Sequence, residues 1–253
     1  MDTELIKAHL SLYAVLVNLE DLVALDRESS MLAKDWDISI QFTVGGGPSA
    51  HVIFKNGACT VGRGKCKGPG VILYFTSPAH MNRMFEGKGN PIPLRGFTKL
   101  GFLTKDFPKL TSRLEYYLKP TPELLRDPNY LALNTRFTLN TAAFAACELG
   151  RLDTIGRLNM SHIHDGALLF KVLPKGPAVT IDFAKGEGRP RKGETDKPMS
   201  ALFFKNIRIA NDMFTGKLDM FAAVAKGDLM LRGHISMIDS MGAVLDRIPL
   251  YLS

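Results

Sequence analysis

The chain contains an internal repeat, and no other feature of the sequence constrains its fold as strongly. Residues 71–88 align with residues 200–217 without a gap, and seven of the eighteen aligned positions are identical. In each copy an apolar, strand-like segment leads into a helix-like segment that ends in Gly-Lys. Ser77 aligns with Asn206, and both residue types are preferred at helix N-caps. Self-similarity at a fixed spacing indicates that one structural unit has been duplicated.

Weaker similarity extends the repeat on both sides. Downstream, a shift of 131 residues aligns Gly96 with Gly227. Upstream, residues 58–61 (ACTV) resemble residues 178–181 (AVTI). With these alignments the same order of elements occurs twice: helices, three strands, a fourth strand, a helix, a pair of strands and a closing helix. Three similar segments in the same order indicate duplication of most of the chain.

The length of the chain agrees with two copies. A chain of 253 residues is longer than one compact domain usually is. Residues 119–128 contain three prolines, which interrupt regular structure. We therefore predict two domains, residues 1–122 and residues 123–253, with one copy of the unit in each.

Local patterns predict the elements of the first copy. Apolar residues recur every three or four positions over residues 3–33, which predicts a helix that is broken once. Alternation over residues 37–44 predicts a strand, and Asn56-Gly57 is a strong signal for a two-residue hairpin turn. The apolar run Val71–Phe75 predicts a buried strand, and Ser77-Pro78 predicts the start of a helix.

The second copy is expected to differ from the first in one loop. Residues 185–198 are polar and rich in glycine and basic residues, and we predict a surface insertion there. A mobile lid over a pocket is the less favoured alternative. Phe75 and Phe204 align with each other in apolar segments, so both are predicted to lie in the core.

Composition narrows the class of protein. With 45% hydrophobic and 23% charged residues the chain has the composition of a globular protein. It has no uninterrupted apolar run of about 18 residues, and it opens with Asp2 and Glu4, so neither a membrane span nor a secretory signal is expected. Three cysteines are too few for a disulfide framework. We therefore expect a cytoplasmic protein with free thiols.

The net charge of +7 raises the question of nucleic-acid binding. Residues 1–126 hold 16 basic against 12 acidic residues, and residues 127–253 hold 16 against 13, so neither half is a basic module. The densest basic stretches, residues 63–67 and 189–192, contain no aromatic residues that could stack on bases. Nucleic acid is therefore not expected as a partner, whereas transient attraction to anionic lipid headgroups is compatible with this charge.

Candidates for chemistry are few. His162 and His164 alternate and would point the same way on a strand, but no further metal ligand has convincing spacing. The sequence lacks the Gly-x-Ser-x-Gly elbow of serine hydrolases. The glycine-rich residues 62–70 match neither the dinucleotide fingerprint nor the P-loop pattern. We expect no metal, no cofactor and no enzymatic activity.

The order of elements and two short motifs resemble a known family. The helix that runs into Met84–Lys88, followed by Lys226–Gly233 (KGDLMLRG) in the second copy and the weaker Arg95–Gly101 in the first, resembles the sterol-carrier-protein (type 2) lipid-binding fold. This resemblance implies an α+β protein with two similar domains. Each domain would be a mostly antiparallel five-stranded sheet covered by helices. An apolar tunnel between sheet and helices would hold fatty acyl chains, sterols or similar lipids.

The second half is expected to hold the ligand more tightly, because it has the better motif, the longer loop and seven of the eleven methionines. Flexible thioethers suit an adaptable apolar site, although methionines that simply fill a core are the alternative. The predicted lining consists of Phe204, Met213, Phe214, Phe221, Met230, Met237, Met241 and Leu245.

Three functions are compatible with this sequence. The favoured hypothesis is non-enzymatic binding or carrying of an apolar small molecule in one or both halves. The alternative is a structural or interaction protein in which the duplicated fold has lost its cavity. A third hypothesis is an accessory module of an acyltransferase, which is weaker because no acetyl-CoA-binding domain accompanies the fold.

Overall fold

The computed structural model describes residues 2–252 and divides the chain into two compact units. The first unit spans Asp2–Lys119 and the second begins at Pro120. The sequence placed the boundary between residues 122 and 123, three residues further along the chain. The terminal residues 1 and 253 of the predicted domains lie outside the described residues.

The first unit begins with a helical segment that covers the predicted residues 3–33. It consists of α1 (Thr3–Leu10), a π-helical turn (Ser11–Val15), α2 (Asn18–Leu25) and α3 (Arg27–Ala33). The chain becomes extended at Asp26, whose carboxylate accepts a hydrogen bond from the Ser29 amide and caps α3. The predicted break is therefore at Asp26.

Among the described residues, Thr3–Leu25 is the one helical stretch that is long and apolar enough to cross a membrane by length and composition. Within the unit, 61% of its most apolar window is buried. Leu10, Leu12 and Leu19 are fully buried in the core. The buried faces of core helices commonly reach this level of hydrophobicity.

The five strands of the first unit form one sheet in the order β3-β2-β1-β4-β5. The central strand, β1, is parallel to its neighbour β4, and every other pair of neighbouring strands is antiparallel. Asn56 and Gly57 have φ angles of 52° and 74° and join β2 to β3, which is the hairpin turn that the sequence predicted. The strands are β1 (Ile38–Val44), β2 (Ser49–Lys55), β3 (Ala58–Arg63), β4 (Val71–Phe75) and β5 (Ile92–Arg95).

The predicted helix start after β4 is confirmed. Ser77 caps α4 (Pro78–Phe85) by accepting a hydrogen bond from the His80 amide, and Pro78 occupies the first turn. The prediction of a pair of strands after α4 is wrong. Only β5 is a strand, and the chain then forms a 3-10 turn (Phe97–Lys99) and a π-helical turn (Phe102–Asp106) before α5 (Phe107–Leu118).

The second unit repeats this architecture. Its sheet has the order β10-β9-β6-β7-β8. Again the central strand, β6, is parallel to one neighbour, β9, and the other pairs are antiparallel. Its strands are β6 (Gly166–Val172), β7 (Ala178–Ala184), β8 (Glu187–Lys192), β9 (Ser200–Phe204) and β10 (Leu229–Gly233). Its helices are α6 (Pro128–Leu152), α7 (Thr154–Met160), α8 (Ile207–Phe214), α9 (Met220–Ala225) and α10 (Ile235–Leu245), followed by a 3-10 turn (Ile248–Leu250).

The prediction of a loop over residues 185–198 is wrong for residues 185–192, and the loop is confined to residues 193–199. Lys185 and Gly186 have φ angles of 54° and 76° and form a hairpin turn like that of Asn56 and Gly57. The next six residues are β8, an edge strand in which Pro190 is tolerated because no further strand needs its amide. Neither an insertion nor a lid exists at this position.

The strand registers also correct the alignment of the two copies. Phe54 pairs with Ile38 in β1, whereas Phe183 pairs with Gly166 in β6, so β2 corresponds to β7 and residues 58–61 do not correspond to residues 178–181. The partner of Gly96 is Gly233 instead of Gly227. Both have positive φ, and a Cβ on either would collide with the carbonyl oxygen just before the adjacent strand. The true insertion in the second copy is therefore the segment that carries α9.

The aligned aromatic residues Phe75 and Phe204 are both fully buried, as predicted. Each is the last residue of the strand that pairs with the centre of its sheet. Since the two strands occupy the same place in the two sheets, the residues are structural equivalents as well as sequence equivalents.

We predict that Phe75→Ala and Phe204→Ala each lower the free energy of unfolding of their unit by about 3–5 kcal/mol, because each leaves a cavity in a packed core. Chemical denaturation of the full chain measures the effect. Phe97→Ala is the control, because Phe97 is 62% exposed and its truncation leaves the core intact. A loss below about 1 kcal/mol at both buried positions would contradict the equivalence.

Candidate functional site

The second unit carries an open apolar groove of about 270 Å³. It lies between α9, β10 and α10, so the inserted helix forms one of its walls. Its lining comes from α9 (Met220, Phe221, Val224, Ala225), β10 (Leu231) and α10 (Ile235, Ile238, Asp239). Seven of these eight side chains are apolar, and Asp239 is the one charged residue among them.

The inserted helix is short and is held at both ends by local interactions. Asp219 caps it by accepting a hydrogen bond from the Ala222 amide at 2.7 Å. Gly227 follows it with a φ of 71°, and the Lys226 amide donates to the Ala222 carbonyl. Ala223 is buried against the unit, whereas Phe221 is 85% exposed. The helix therefore presents a large apolar side chain to solvent beside the groove.

The structure brings only part of the predicted lining to this groove. Phe221 lines it, whereas Phe204, Met237 and Met241 are fully buried in the core. Met213, Phe214 and Leu245 are half-buried, and Met230 is exposed. The rings of Phe204 and Phe214 lie 5.6 Å apart.

The eight predicted residues do not line a single cavity, and sheet geometry explains the correction. Phe204 pairs with Leu229, so the two side chains share one face of the sheet. Met230 is the next residue along the strand and points to the opposite face, where it pairs with Phe203. The role of the predicted residues in ligand binding stays a prediction.

Sequence reasoning missed most of the groove. Its unpredicted lining residues are Met220, Val224, Ala225, Leu231, Ile235, Ile238 and Asp239. A signal was present, because Met220–Ala225 (MFAAVA) is an apolar run between Asp219 and Lys226. The alignment of Gly96 with Gly227 concealed it, since that alignment treats this run as part of the repeated unit.

Each unit also contains a buried anchor made of Asp, Arg and Tyr. In the first unit the Asp26 carboxylate accepts hydrogen bonds from Arg113 Nε at 3.1 Å and Nη2 at 2.9 Å. The Tyr117 hydroxyl donates to Asp26 Oδ1 at 2.9 Å. Asp26 caps α3 while Arg113 and Tyr117 belong to α5, so the anchor fastens the closing helix to the helical start of the unit.

The second unit repeats the anchor with Asp153, Arg247 and Tyr251. Arg247 Nη2 donates to Asp153 Oδ2 at 3.0 Å, and the Tyr251 hydroxyl donates to the same oxygen at 2.7 Å. Asp153 also caps α7 by accepting from the Gly156 amide. The three residue types and their bonds therefore match those of the first unit, but Arg247 and Tyr251 lie just beyond α10, whereas Arg113 and Tyr117 lie within α5.

The anchors shift the pKa values of their members. Burial alone raises the pKa of Asp26, but hydrogen bonds from Arg113, Ser29 and Tyr117 outweigh burial and hold it well below its usual range. The same balance of burial against hydrogen bonds from Arg247 and Tyr251 lowers the pKa of Asp153 to about 2. Both carboxylates are therefore ionised at neutral pH and are fully engaged with their partners, which suits a structural role and not proton transfer.

Between residues 2 and 252, no three His, Cys, Asp or Glu side chains are grouped so that they could hold a metal ion. His164 has a neighbouring ring in His234, at a centroid distance of 6.3 Å. The apolar groove is accordingly the candidate functional site, and what it can do is to remove apolar ligand surface from water.

The fold is α+β, with two five-stranded, mostly antiparallel sheets and helices, and its structural neighbours include sterol-carrier-protein domains. It is similar to the crystal structure of a sterol carrier protein 2 (22% identity, 44% of this chain, 92% of that chain, TM-score 0.33). It is also similar to the sterol carrier protein domain 2 of Helicoverpa armigera (18%, 46% and 91%, TM-score 0.35). A third similar structure is the apo form of sterol carrier protein 2 from Yarrowia lipolytica (18%, 44% and 84%, TM-score 0.29). No family model and no curated protein sequence matches the chain.

We predict that Asp26→Asn lowers the free energy of unfolding of the first unit by about 1.5–3 kcal/mol at pH 7, because hydrogen bonds to a charged group are lost while asparagine still caps the helix. Trp36 is the single tryptophan and packs on Phe54, so its fluorescence monitors this unit during denaturation. Asp35→Asn is the control, since it removes the same charge from an exposed residue.

The pH dependence has a definite sign. Because the folded-state pKa of Asp26 is depressed, its contribution is complete above the ordinary value of 3.8 and declines as the pH falls toward the folded-state value. The difference between wild type and Asp26→Asn should therefore shrink below about pH 4. A difference that stays constant from pH 7 to pH 3 would exclude the anchor as its source.

Proposed function

We propose that the chain is a tandem pair of sterol-carrier-like domains whose second domain binds or carries an apolar small molecule, without catalysing a reaction. The observation that carries the proposal is the open groove of about 270 Å³ whose walls are almost entirely apolar. The short motif in Lys226–Gly233, which resembles the sterol-carrier family, lies within the same region of the chain. Since no disulfide joins Cys59, Cys66 or Cys147, all of which are among the described residues, we place this activity in a reducing, cytoplasmic compartment.

The size of the groove suits part of a lipid better than a whole one. Ligand pockets usually enclose about 300–1,000 Å³, so the groove lies just below this range. Each buried methylene contributes about 0.8 kcal/mol, and a dozen carbons would give micromolar affinity after the cost of immobilisation. The proposed ligand lies along the groove with one side toward solvent.

The charge of the lining favours a neutral ligand. Asp239 is exposed on α10 and forms part of the groove wall. A fatty-acid carboxylate next to it would experience like-charge repulsion, whereas the hydroxyl of a sterol or the ester of an acyl lipid would not. We therefore propose sterol-like or esterified ligands in preference to free fatty acids. Transient contact with a membrane surface, where such ligands reside, is part of the proposal.

One observation favours a different role for the first domain. It has a surface depression of about 350 Å³ that is lined by charged and polar side chains together with Met31 and Leu32. Glu28, Lys109 and Arg113 are among those polar residues, and Arg113 is also a member of the Asp26 anchor. A polar depression of this kind does not favour an apolar ligand. The second candidate function, an interaction or scaffolding domain, is therefore proposed for the first unit.

We predict that the full chain binds a fluorescent sterol analogue with micromolar affinity and that Ala225→Trp weakens binding at least about tenfold, because the indole occupies the groove. Ala222→Trp is the matched control. Ala222 is exposed on the same helix but does not line the groove, so its substitution should leave the affinity within about twofold.

The titration is performed in vesicle-free solution with the analogue below its micellar concentration. Failure of the wild type to bind at tens of micromolar would refute the carrier function and leave the scaffold hypothesis. Equal affinities for wild type and Ala225→Trp would move the binding site away from the groove.

A further inference from the structure

Three side chains with metal-binding atoms come together at one end of the second sheet. His164 lies just before β6, Met199 directly before β9, and His234 directly after β10. Because β6 and β9 are parallel and β10 is antiparallel to β9, all three positions lie at the same end of adjacent strands. The sheet therefore gathers two imidazoles and one thioether from distant parts of the sequence.

The two imidazoles are close enough to share a metal ion. β9 separates β6 from β10, and neighbouring strands lie about 4.8 Å apart, so the two outer backbones are about 9.6 Å apart. The ring centroids of His164 and His234 are only 6.3 Å apart, so the rings lean toward each other across the start of β9. Imidazoles that share one metal, each with a nitrogen about 2.0 Å from it, have centroids about 5–6 Å apart. A small rotation of these exposed side chains therefore suffices.

Met199 can supply the third donor, because it precedes the strand between the two histidines. Its side chain packs against Gly166, where a Cβ would lie 2.8 Å from the Met199 sulfur. On the other side, a Cβ on Gly233 would collide with the Met199 carbonyl oxygen. The backbone of Met199 is thus held between the two strands that carry the histidines. Its side chain is 37% exposed and has three rotatable bonds, so the sulfur can turn toward a bound ion.

The architecture by itself does not require these residue types. The strand registers identify the corresponding positions of the first unit, and they hold Trp36, Gly70 and Phe97. None of these three residues has a side chain that ligates a metal. The same strand ends therefore carry three potential ligands in one unit and none in the other, which indicates a role that the second unit alone has.

We infer that His164, Met199 and His234 form a binding site for copper(I). Imidazole suits zinc, copper, iron and nickel, whereas a thioether selects copper(I), so copper is the metal that accepts both kinds of donor. Within residues 2–252 no three His, Cys, Asp or Glu side chains are grouped for a metal, and the thioether is what completes this site. The nearby Asp165 carboxylate accepts a hydrogen bond from the Lys185 amide and is not needed as a ligand. The inference does not depend on the proposed lipid ligand.

The test is an anaerobic titration of the full chain with copper(I) in competition with a chromogenic copper(I) chelator. Every protein carries Cys66→Ser, because Cys66 is a partly exposed thiol that would also bind copper(I). This parent protein should bind a single equivalent. His164→Ala, His234→Ala and Met199→Leu should each weaken binding at least about tenfold, because each removes one donor at an exposed position.

Two comparisons separate loss of a ligand from a general effect. His162→Ala is the matched control, because it removes an exposed histidine two residues before His164 and should leave the copper(I) affinity within about twofold. Met199→Leu should change the affinity for zinc by less than about twofold, since zinc is bound by nitrogen, oxygen and thiolate donors and would use the two imidazoles.

Three outcomes would overturn the inference. These are a parent protein that takes no copper(I) from the chelator, a loss in His162→Ala as large as that in His164→Ala, and a Met199→Leu variant that keeps the parental copper(I) affinity. X-ray absorption of the copper-loaded parent protein gives an independent readout. We expect nitrogen and sulfur in the first coordination shell, and a shell without sulfur would exclude Met199 as a ligand.

Discussion

The Asp–Arg–Tyr anchor is the interaction on which each unit depends for its closure. In the first unit, Arg113 and Tyr117 of the closing helix both bind the carboxylate that caps α3, and Phe107, Leu110 and Leu114 of the same helix are buried in the core. The Asp26 carboxylate thus lies where α2 ends and α3 begins, and it also binds α5, which comes after the five strands in the sequence. Removing one partner of such a pair leaves the other polar group buried without compensation, which is costly. The recurrence of this arrangement in both units indicates that it is part of the duplicated architecture.

The two units share one strand order and differ at one surface. The sheets have the same strand order, the hairpin turns have the same backbone angles, and the glycines before the closing segments occupy the same position. Asn82 and Asn211, identical in the repeat, both tie their helix to an earlier one. Asn82 donates to the Glu4 carbonyl, and Asn211 donates to Asn134 and Thr135. The second unit departs from this frame where α9 is inserted, and the candidate groove lies at that departure.

Local signals in the sequence were sufficient for much of the fold. The cap at Ser77, the turn at Asn56-Gly57 and the apolar strand Val71–Phe75 are encoded by neighbouring residues, and the structure confirms all three. The turn at Lys185-Gly186 was missed because a lysine with positive φ is not a usual turn signal. The polar strand β8 was missed as well, because an edge strand needs few apolar residues.

The candidate site was harder to predict, since it depends on contacts that sequence spacing does not show. The bonded residues of the two anchors are 91 and 98 positions apart, and no short motif joins them. The lining of the groove depends on an insertion whose position only the strand registers reveal. Methionine content favoured the second half, where the groove lies, but it selected core residues such as Met237 and Met241.

The long separation within each anchor has a consequence for the way in which the chain folds. Contacts between distant residues form late, because the intervening loop must first lose its entropy. The bond between Asp26 and Tyr117 spans almost the whole first unit, so this unit completes its own closure with residues that precede Pro120. During synthesis, the first unit can therefore finish folding before the strands of the second emerge, and the two similar sheets have little opportunity to exchange strands. In a chain with two similar units, an anchor that joins the start and the end of each unit keeps the strands of one unit from pairing with those of the other.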